Sequence, residues 1–337
     1  MPVTIKDIAK KVGVAPSTVS RAINGNAVIS KETRDRILEA MEEMNYHPNS
    51  LARNFASGNT FAIGLVIDAK DEQTFSNTFF NRSVFAIEKV AQNFGYSLII
   101  TNDKEEEKQS SVEKMVFEKK VDGIILPSSS ATPKLIRILK KQKFPFIILG
   151  EPEIEKTETS WVDINNTEGS EMAVEHLVKS GYKKIAFIVE NRRTVFSIKR
   201  MEGYKKELLK AGYSLKKEYI QDCMENTDNA FFITKSLMDF EESPDAILCG
   251  NNVIAYQVLK ALKELELNVP KQVGVMTFDN CPFAEYMDPP LSAVDVDTFS
   301  LGEQAATILI RKIKNADYEN CQALVSTKLL LRESTIK

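Results

Sequence analysis

Histidine is nearly missing from this chain: His47 and His176 are the only two. Such isolated rings are thin material for a zinc site or for acid–base catalysis. Cysteine is scarce as well. Cys223, Cys249, Cys281 and Cys321 stand far apart with no CxxC pair, and they read as reduced core thiols, not as metal ligands or a disulfide frame. No GxGxxG, and no GxxxxGK followed by Ser or Thr, comes after an apolar run, so the phosphate-cradling turns of nucleotide enzymes are lacking. Apolar runs of membrane-spanning length, about 20 residues, do not occur. The opening MPVTIKDIAKK has no apolar leader core. These absences favour a cytoplasmic, non-enzymatic protein that needs no metal or cofactor.

What is present is an ordinary globular composition, 43% hydrophobic and 27% charged over 337 residues, long enough for two or three cores. The net charge of -3 argues against a non-specific nucleic-acid coat. The charge is uneven, however. Before Gly25, Lys6, Lys10, Lys11 and Arg21 stand against Asp7 alone. A small cationic head is what phosphate contact requires.

The stretch Thr4 to Asn24, TIKDIAKKVGVAPSTVSRAIN, reads as two short helices around a tight turn. Thr4 caps the first helix, with Asp7 completing an acidic capping box. Ile5, Ile8, Ala9 and Val12 share one face at helical spacing. Gly13 sits at the turn, and Pro16 falls in the first turn of the next helix, where its missing N–H is harmless. Val19, Ala22 and Ile23 form the inner face. Ser17, Thr18, Ser20, Arg21 and Asn24 point outward, and their side chains suit base edges and phosphates. Small Ala9 allows the close, steep helix crossing that a helix-turn-helix needs. A third helix, Ser30 to Met44, turns Ile37, Leu38, Met41 and Met44 inward.

TIKDIAKKVGVAPSTVSRAING, followed by VISKETRDRILEAMEEMNYHPNSLAR, resembles the DNA-binding headpiece of the lac repressor/gal repressor family of bacterial transcription regulators. The resemblance continues more loosely through the rest of the chain. It implies double-stranded operator DNA, near-palindromic, as partner; DNA contacts from Thr4, Ser17, Thr18, Ser20, Arg21 and Asn24; and a homodimer. It also implies a hinge helix that pairs in the minor groove, with Asn49 and Arg53 at the DNA and Phe55 where the family usually places a leucine wedge. Apolar wedges of this kind unstack and kink a base step. A plain linker with Phe55 packed on the body is the alternative.

Beyond Gly58, short β-branched-rich runs alternate with amphipathic stretches. Strands are predicted at 61–67, 97–101, 123–126, 144–149, 184–189, 246–249 and 273–278, buried on both faces of parallel sheets. Helices are predicted at 80–94, 110–119, 133–141, 168–180, 195–211, 229–240 and 253–265, and the charge run 104–108 as a solvated helix start. This α/β pattern occurs twice over. The expected architecture is a small all-α helix-turn-helix headpiece plus an α/β periplasmic-binding-protein-like body of two parallel-sheet subdomains. The resemblance supplies the boundaries: headpiece 1–47, hinge 48–58, one subdomain from 59–161 and 290–323, the other from 162–289 and 324–337. Trp161 then falls at a crossover, with packing between subdomains as its expected role.

Ligands of open α/β sheets bind beyond the carboxyl ends of strands. The residues there include Asn77-Thr78-Phe79-Phe80, Glu190-Asn191-Arg192-Arg193, Gly250-Asn251-Asn252 and Asp279-Asn280. Arg200-Met201-Glu202-Gly203-Tyr204 matches a family Arg-x-x-Gly-aromatic motif whose arginine reaches the effector. The candidate effector residues are Phe79, Arg200, Asn251 and Asp279, with a sugar, sugar acid or sugar phosphate as the implied small-molecule ligand. Arg192 and Arg193 read as solvated; facing the cleft, they would favour an anion. Asn252 stands where the family commonly has aspartate, and no aromatic occurs near Met224-Glu225-Asn226, so the effector differs from that of the best-known members. Competing readings are control by a phosphorylated carrier protein, and a sugar-binding module with no DNA role.

Overall fold

The computed structural model describes residues 3–23, 29–47, 58–67, 78–102, 110–154, 156–224 and 226–336, without the side chains of 78 and 79. Asn24, Asn49, Arg53, Phe55 and the charge run 104–108 therefore lie outside the described residues. The chain divides into two compact units, Met1–Phe61 and Ala62–Lys337.

The small unit contains α1 (Ile5–Val12), α2 (Pro16–Ile23) and α3 (Lys31–Glu43). The Asp7 carboxylate reaches back to accept the Thr4 backbone N–H at 2.9 Å and the Thr4 hydroxyl at 2.7 Å. Those bonds hold the Asp7 carboxyl below its ordinary pKa. Gly13 ends α1 at φ 76°, a left-handed conformation costly for any residue with a Cβ. Ser30 caps α3 by accepting from the Thr33 N–H. Ile8, Ala9, Val12, Val19, Ala22, Ile37 and Ala40 make one buried cluster, with Met41 and Met44 packed at its margin. Leu38, expected inside, is 46% exposed. One residue past Ile37, it is rotated about 100° away from the inner stripe.

The large unit is built on two six-stranded sheets. The first joins β1 (Ala62–Ile67), β2 (Ser97–Asn102), β3 (Gly123–Pro127), β4 (Phe146–Leu149), β5 (Trp161–Ile164) and β11 (Gln322–Val325), in the order β11-β5-β4-β3-β1-β2, all parallel. The second joins β6 (Ile185–Val189), β7 (Ile220–Asp222), β8 (Ala246–Cys249), β9 (Gly274–Phe278), β10 (Ser292–Val296) and β12 (Thr327–Leu330). Its order is β12-β10-β9-β8-β6-β7, with β12 antiparallel to β10. β2 was expected to be buried on both faces. It is an edge strand, with Ile99 38% and Ile100 42% exposed.

The chain passes between the sheets after β5, between β10 and the helix Thr298–Lys314, and between β11 and β12. Each passage lies later than the expected boundaries after 161, 289 and 323. The strands run on into the crossovers, so that residues 292–296 belong to the second sheet; the Asp288-Pro289 bond marks only the loop before β10. Trp161 is also corrected. It is buried in the first subdomain's own core, and its indole N–H donates to the Lys156 carbonyl at 2.8 Å. The helix Thr298–Lys314, which no earlier pattern singled out, covers the first sheet with Leu301, Ala305, Ala306 and Leu309.

Candidate functional site

In the small unit, α2 carries the outward set. Its buried side is Val19 and Ala22, and Ser17 and Arg21 are exposed while Thr18 and Ser20 are partly so. This follows from helical spacing: the core takes one stripe and leaves short polar groups and a cation on the other. Thr4 is exposed, but its hydroxyl and N–H are both given to Asp7, so it serves α1 as a cap.

In the large unit, three of the anticipated effector residues come together at the carboxyl ends of β6, β8 and β9. Arg200 lies on the helix Val195–Lys210, which packs on the helix Asn166–Lys179. That approach depends on Gly203, where a Cβ would stand 2.2 Å from the Thr167 carbonyl oxygen and 2.9 Å from Ser170 Cβ. Tyr204 anchors the same turn, donating its hydroxyl to the Ile185 carbonyl at 2.6 Å. The Arg-x-x-Gly-aromatic motif is thus a device for delivering a guanidinium to the strand ends.

Arg200 is 5% exposed. Its Nε donates to Asn166 Oδ1 at 2.8 Å and its Nη1 to the Gly250 carbonyl at 2.5 Å, while its Cζ lies 4.0 Å from the centre of the Phe278 ring. Burial pushes its pKa down, opposed by Asp279, Asp163 and Glu190. Among the described residues two of its five donors are used, and a guanidinium stays charged under such conditions. Asp279 follows β9 in the left-handed region, φ 65°, its N–H held by the Val294 carbonyl at 3.1 Å. Its Oδ1 is buried without a hydrogen-bond partner among the described residues, 3.9 Å from Arg200 Nη2. Burial raises the Asp279 carboxyl; Arg200 lowers it and Asp295 raises it further. At 3.9 Å the two groups are too far apart for a direct hydrogen bond. A ligand hydroxyl reaching this pair could accept from the guanidinium and donate to the carboxylate.

Asn251 is partly committed elsewhere. It caps the helix Asn252–Glu264 by accepting the Ile254 N–H at 2.9 Å, and its Nδ2 donates to Glu190 Oε2 at 3.2 Å. The side chain of Phe79 lies outside the described residues, and Phe80 packs on the first core. Arg192 is not simply solvated: its guanidinium donates to the Ile220 carbonyl and its N–H to Asp222, tying down the end of β7. Sequence reasoning missed Asp163. Asp163 is buried in β5, accepting from the N–H groups of Glu151 at 2.9 Å and Ile164 at 2.7 Å. Burial raises its carboxyl, and those N–H groups and Arg200 oppose the rise. A carboxylate inside the apolar run Trp161–Ile164 was the available signal.

Residues 4–49 match the profile of bacterial regulatory proteins of the lacI family, and residues 174–335 that of the periplasmic binding protein-like domain. The chain is 30% identical over 318 residues to the HTH-type transcriptional repressor PurR of Vibrio atlanticus (strain LGP32), covering 94% of this chain and 93% of that one. A transcriptional regulator CelR–cellobiose complex is 25% identical, with a TM-score of 0.74 over 98% of this chain and 99% of that chain. The lac repressor dimer bound to operator and the anti-inducer ONPF is 23% identical, with a TM-score of 0.83 over 100% of both chains, a likeness of fold.

Proposed function

The chain belongs to the lacI family of bacterial regulatory proteins and is a DNA-binding transcriptional repressor with a periplasmic-protein-like ligand-binding body, not an enzyme, and from that premise we propose that a small carbohydrate-type effector at Arg200 and Asp279 sets its operator affinity. The observation that carries this reading is the buried Arg200–Asp279 pair, separated by 3.9 Å with Oδ1 unpartnered. Donor and acceptor stand side by side at the strand ends, the pairing a polyhydroxylated ligand uses. The similarity to a regulator complexed with cellobiose supports a carbohydrate.

In this proposal the protein works in the cytoplasm as a homodimer. Two headpieces place Ser17, Thr18, Ser20 and Arg21 in successive major grooves of a near-palindromic operator. Asn24 extends that set, and the 48–58 segment, with Asn49, Arg53 and a Phe55 wedge, enters the minor groove. Effector binding changes the relation of the two subdomains and so biases pairing of the hinges.

The test uses an operator selected from a random duplex pool, read by fluorescence anisotropy. Arg21→Ala is expected to weaken the selected operator roughly tenfold while leaving non-specific binding within about twofold, the pattern of base readout. Equal losses on both duplexes would contradict it. Adding neutral, amino, acidic and phosphorylated sugars is expected to change operator affinity for at least one. A response only to a phosphorylated protein would favour the carrier-protein alternative.

A further inference from the structure

Resting on that reading of the site, we propose that Asn166 is the positioning residue through which effector binding at Arg200 reaches the first subdomain, by way of the first passage between the sheets and Asp163. The passage is short: β5 ends at Ile164, and the helix Asn166–Lys179 begins two residues on. The Asn166 amide is 3% exposed and bonds in both directions. Its Oδ1 accepts from Arg200 Nε at 2.8 Å, and its Nδ2 donates to the Ile164 carbonyl at 3.0 Å. The Ile164 N–H donates in turn to Asp163 Oδ1 at 2.7 Å, and Asp163 Oδ2 accepts the N–H of Glu151 at 2.9 Å. Hydrogen bonds and the Ile164 backbone thus connect the arginine of the second subdomain to the turn after β4 in the first.

Asp163 has a task in this chain that an apolar strand residue could not perform. The β4–β5 ladder pairs Ile148 with Trp161 and Leu149 with Val162, and Gly150 then donates its N–H to the Val162 carbonyl at 2.8 Å. Gly150 turns away in the left-handed region, φ 92°. β4 has ended there, and the Asp163 carboxylate takes the next N–H, that of Glu151. A buried carboxylate is costly unless donors meet it, so Asp163 and the turn hold each other in place. Burial raises the Asp163 carboxyl, and Arg200 is among the groups that oppose the rise, so the arginine acts on this residue through charge as well. The passage is also laced to a second one. The Asn165 N–H donates to the Val325 carbonyl at 2.9 Å, at the end of β11, where the chain makes its third passage. A displacement of residues 165 and 166 therefore moves two of the three covalent links between the sheets. An effector that draws the guanidinium toward itself must carry Asn166 with it or break a buried, directional bond.

The experiment uses the full chain as wild type, Asn166→Asp, Asn166→Ala, Asp163→Asn and Arg200→Ala. The probes are glucose, galactose, ribose, cellobiose and glucose 6-phosphate. Calorimetry gives the affinity for each probe, and fluorescence anisotropy on the selected operator gives the change in operator affinity at saturating probe. Wild type is expected to bind at least one probe and to respond at least about fivefold. Asn166→Asp keeps an acceptor for Arg200 but has no N–H for the Ile164 carbonyl. It is expected to bind that probe within about tenfold of wild type and to respond less than about twofold at saturation. Asn166→Ala and Asp163→Asn are expected to lose the response likewise. Amide exchange gives a second readout: the probe is expected to slow exchange in the 148–166 segment of wild type and not of Asn166→Asp. A role in stability alone would lower the melting temperature and leave the saturated response intact. A role in affinity alone would raise the probe concentration needed and do the same. A full saturated response in the Asn166 and Asp163 variants, equal slowing of exchange in both proteins, or Arg200-dependent binding with no response in wild type would overturn the coupling proposal and leave the site standing. No binding of any probe, or binding that survives Arg200→Ala, would overturn the reading of the site and the proposal with it.

Discussion

Asp279 shows what the proposed effector residue costs the free protein. It combines a left-handed backbone, a buried unpartnered oxygen and a carboxyl raised by burial. Asparagine tolerates that backbone better and carries no charge to desolvate. Asp279→Asn is therefore expected to stabilise the ligand-free body by about 1 kcal/mol at pH 7 while removing effector binding. The pH dependence has a definite sign. A carboxyl whose folded pKa is raised binds its proton more tightly when folded, so its cost is present above the folded value and fades as pH falls through it toward the ordinary 3.8. The melting advantage of Asp279→Asn should shrink along that descent; a constant or growing advantage would count against burial as the cause. Arg200, Asn251 and Asp279 were legible in the sequence because each stands at or near the end of an apolar run or in a spaced motif. Asn251's second duty as a helix cap was not, because capping needs knowledge of where the helix begins.

Among the elements, the pairing of the helices Asn166–Lys179 and Val195–Lys210 carries the site. Gly203 permits their close approach, and the approach brings Asn166 to Arg200 Nε at 2.8 Å. Gly203→Ala would press a Cβ into the Thr167 carbonyl, backbone that has little room to yield. It is expected to destabilise the body by about 2–4 kcal/mol and to weaken effector binding through displaced Arg200, measured by denaturant unfolding and calorimetry. A loss under about 0.5 kcal/mol would show that the helices part freely. Most central strands and their helices were legible as short apolar runs between amphipathic stretches. β7 and β12 were not, being short edge strands with polar residues. β10 and β11 were hidden for another reason. Their sequences, SAVDV and QALV, are short and mixed, and they become strands only because a distant sheet offers them a parallel partner.

For the whole molecule, the division into a small cationic helical unit and a two-sheet body was readable from the charge bias, the turn chemistry of α1 and α2, and the repeated α/β alternation. The three passages between sheets were readable only approximately. A chain leaving one sheet for another changes partners, not composition, so no local signal marks the residue where it happens. That architecture gives the account its central claim: a ligand at Arg200 governs how firmly α2 holds DNA. The direct measurement is operator affinity of the full chain, with and without saturating ligand, for wild type and Arg200→Ala. Wild type is expected to change at least about fivefold on ligand addition, a coupling of ordinary allosteric size. Arg200→Ala is expected to match ligand-free wild type and not to respond. An equal ligand response in both proteins, or none in wild type at a ligand concentration that calorimetry shows to saturate it, would contradict the claim.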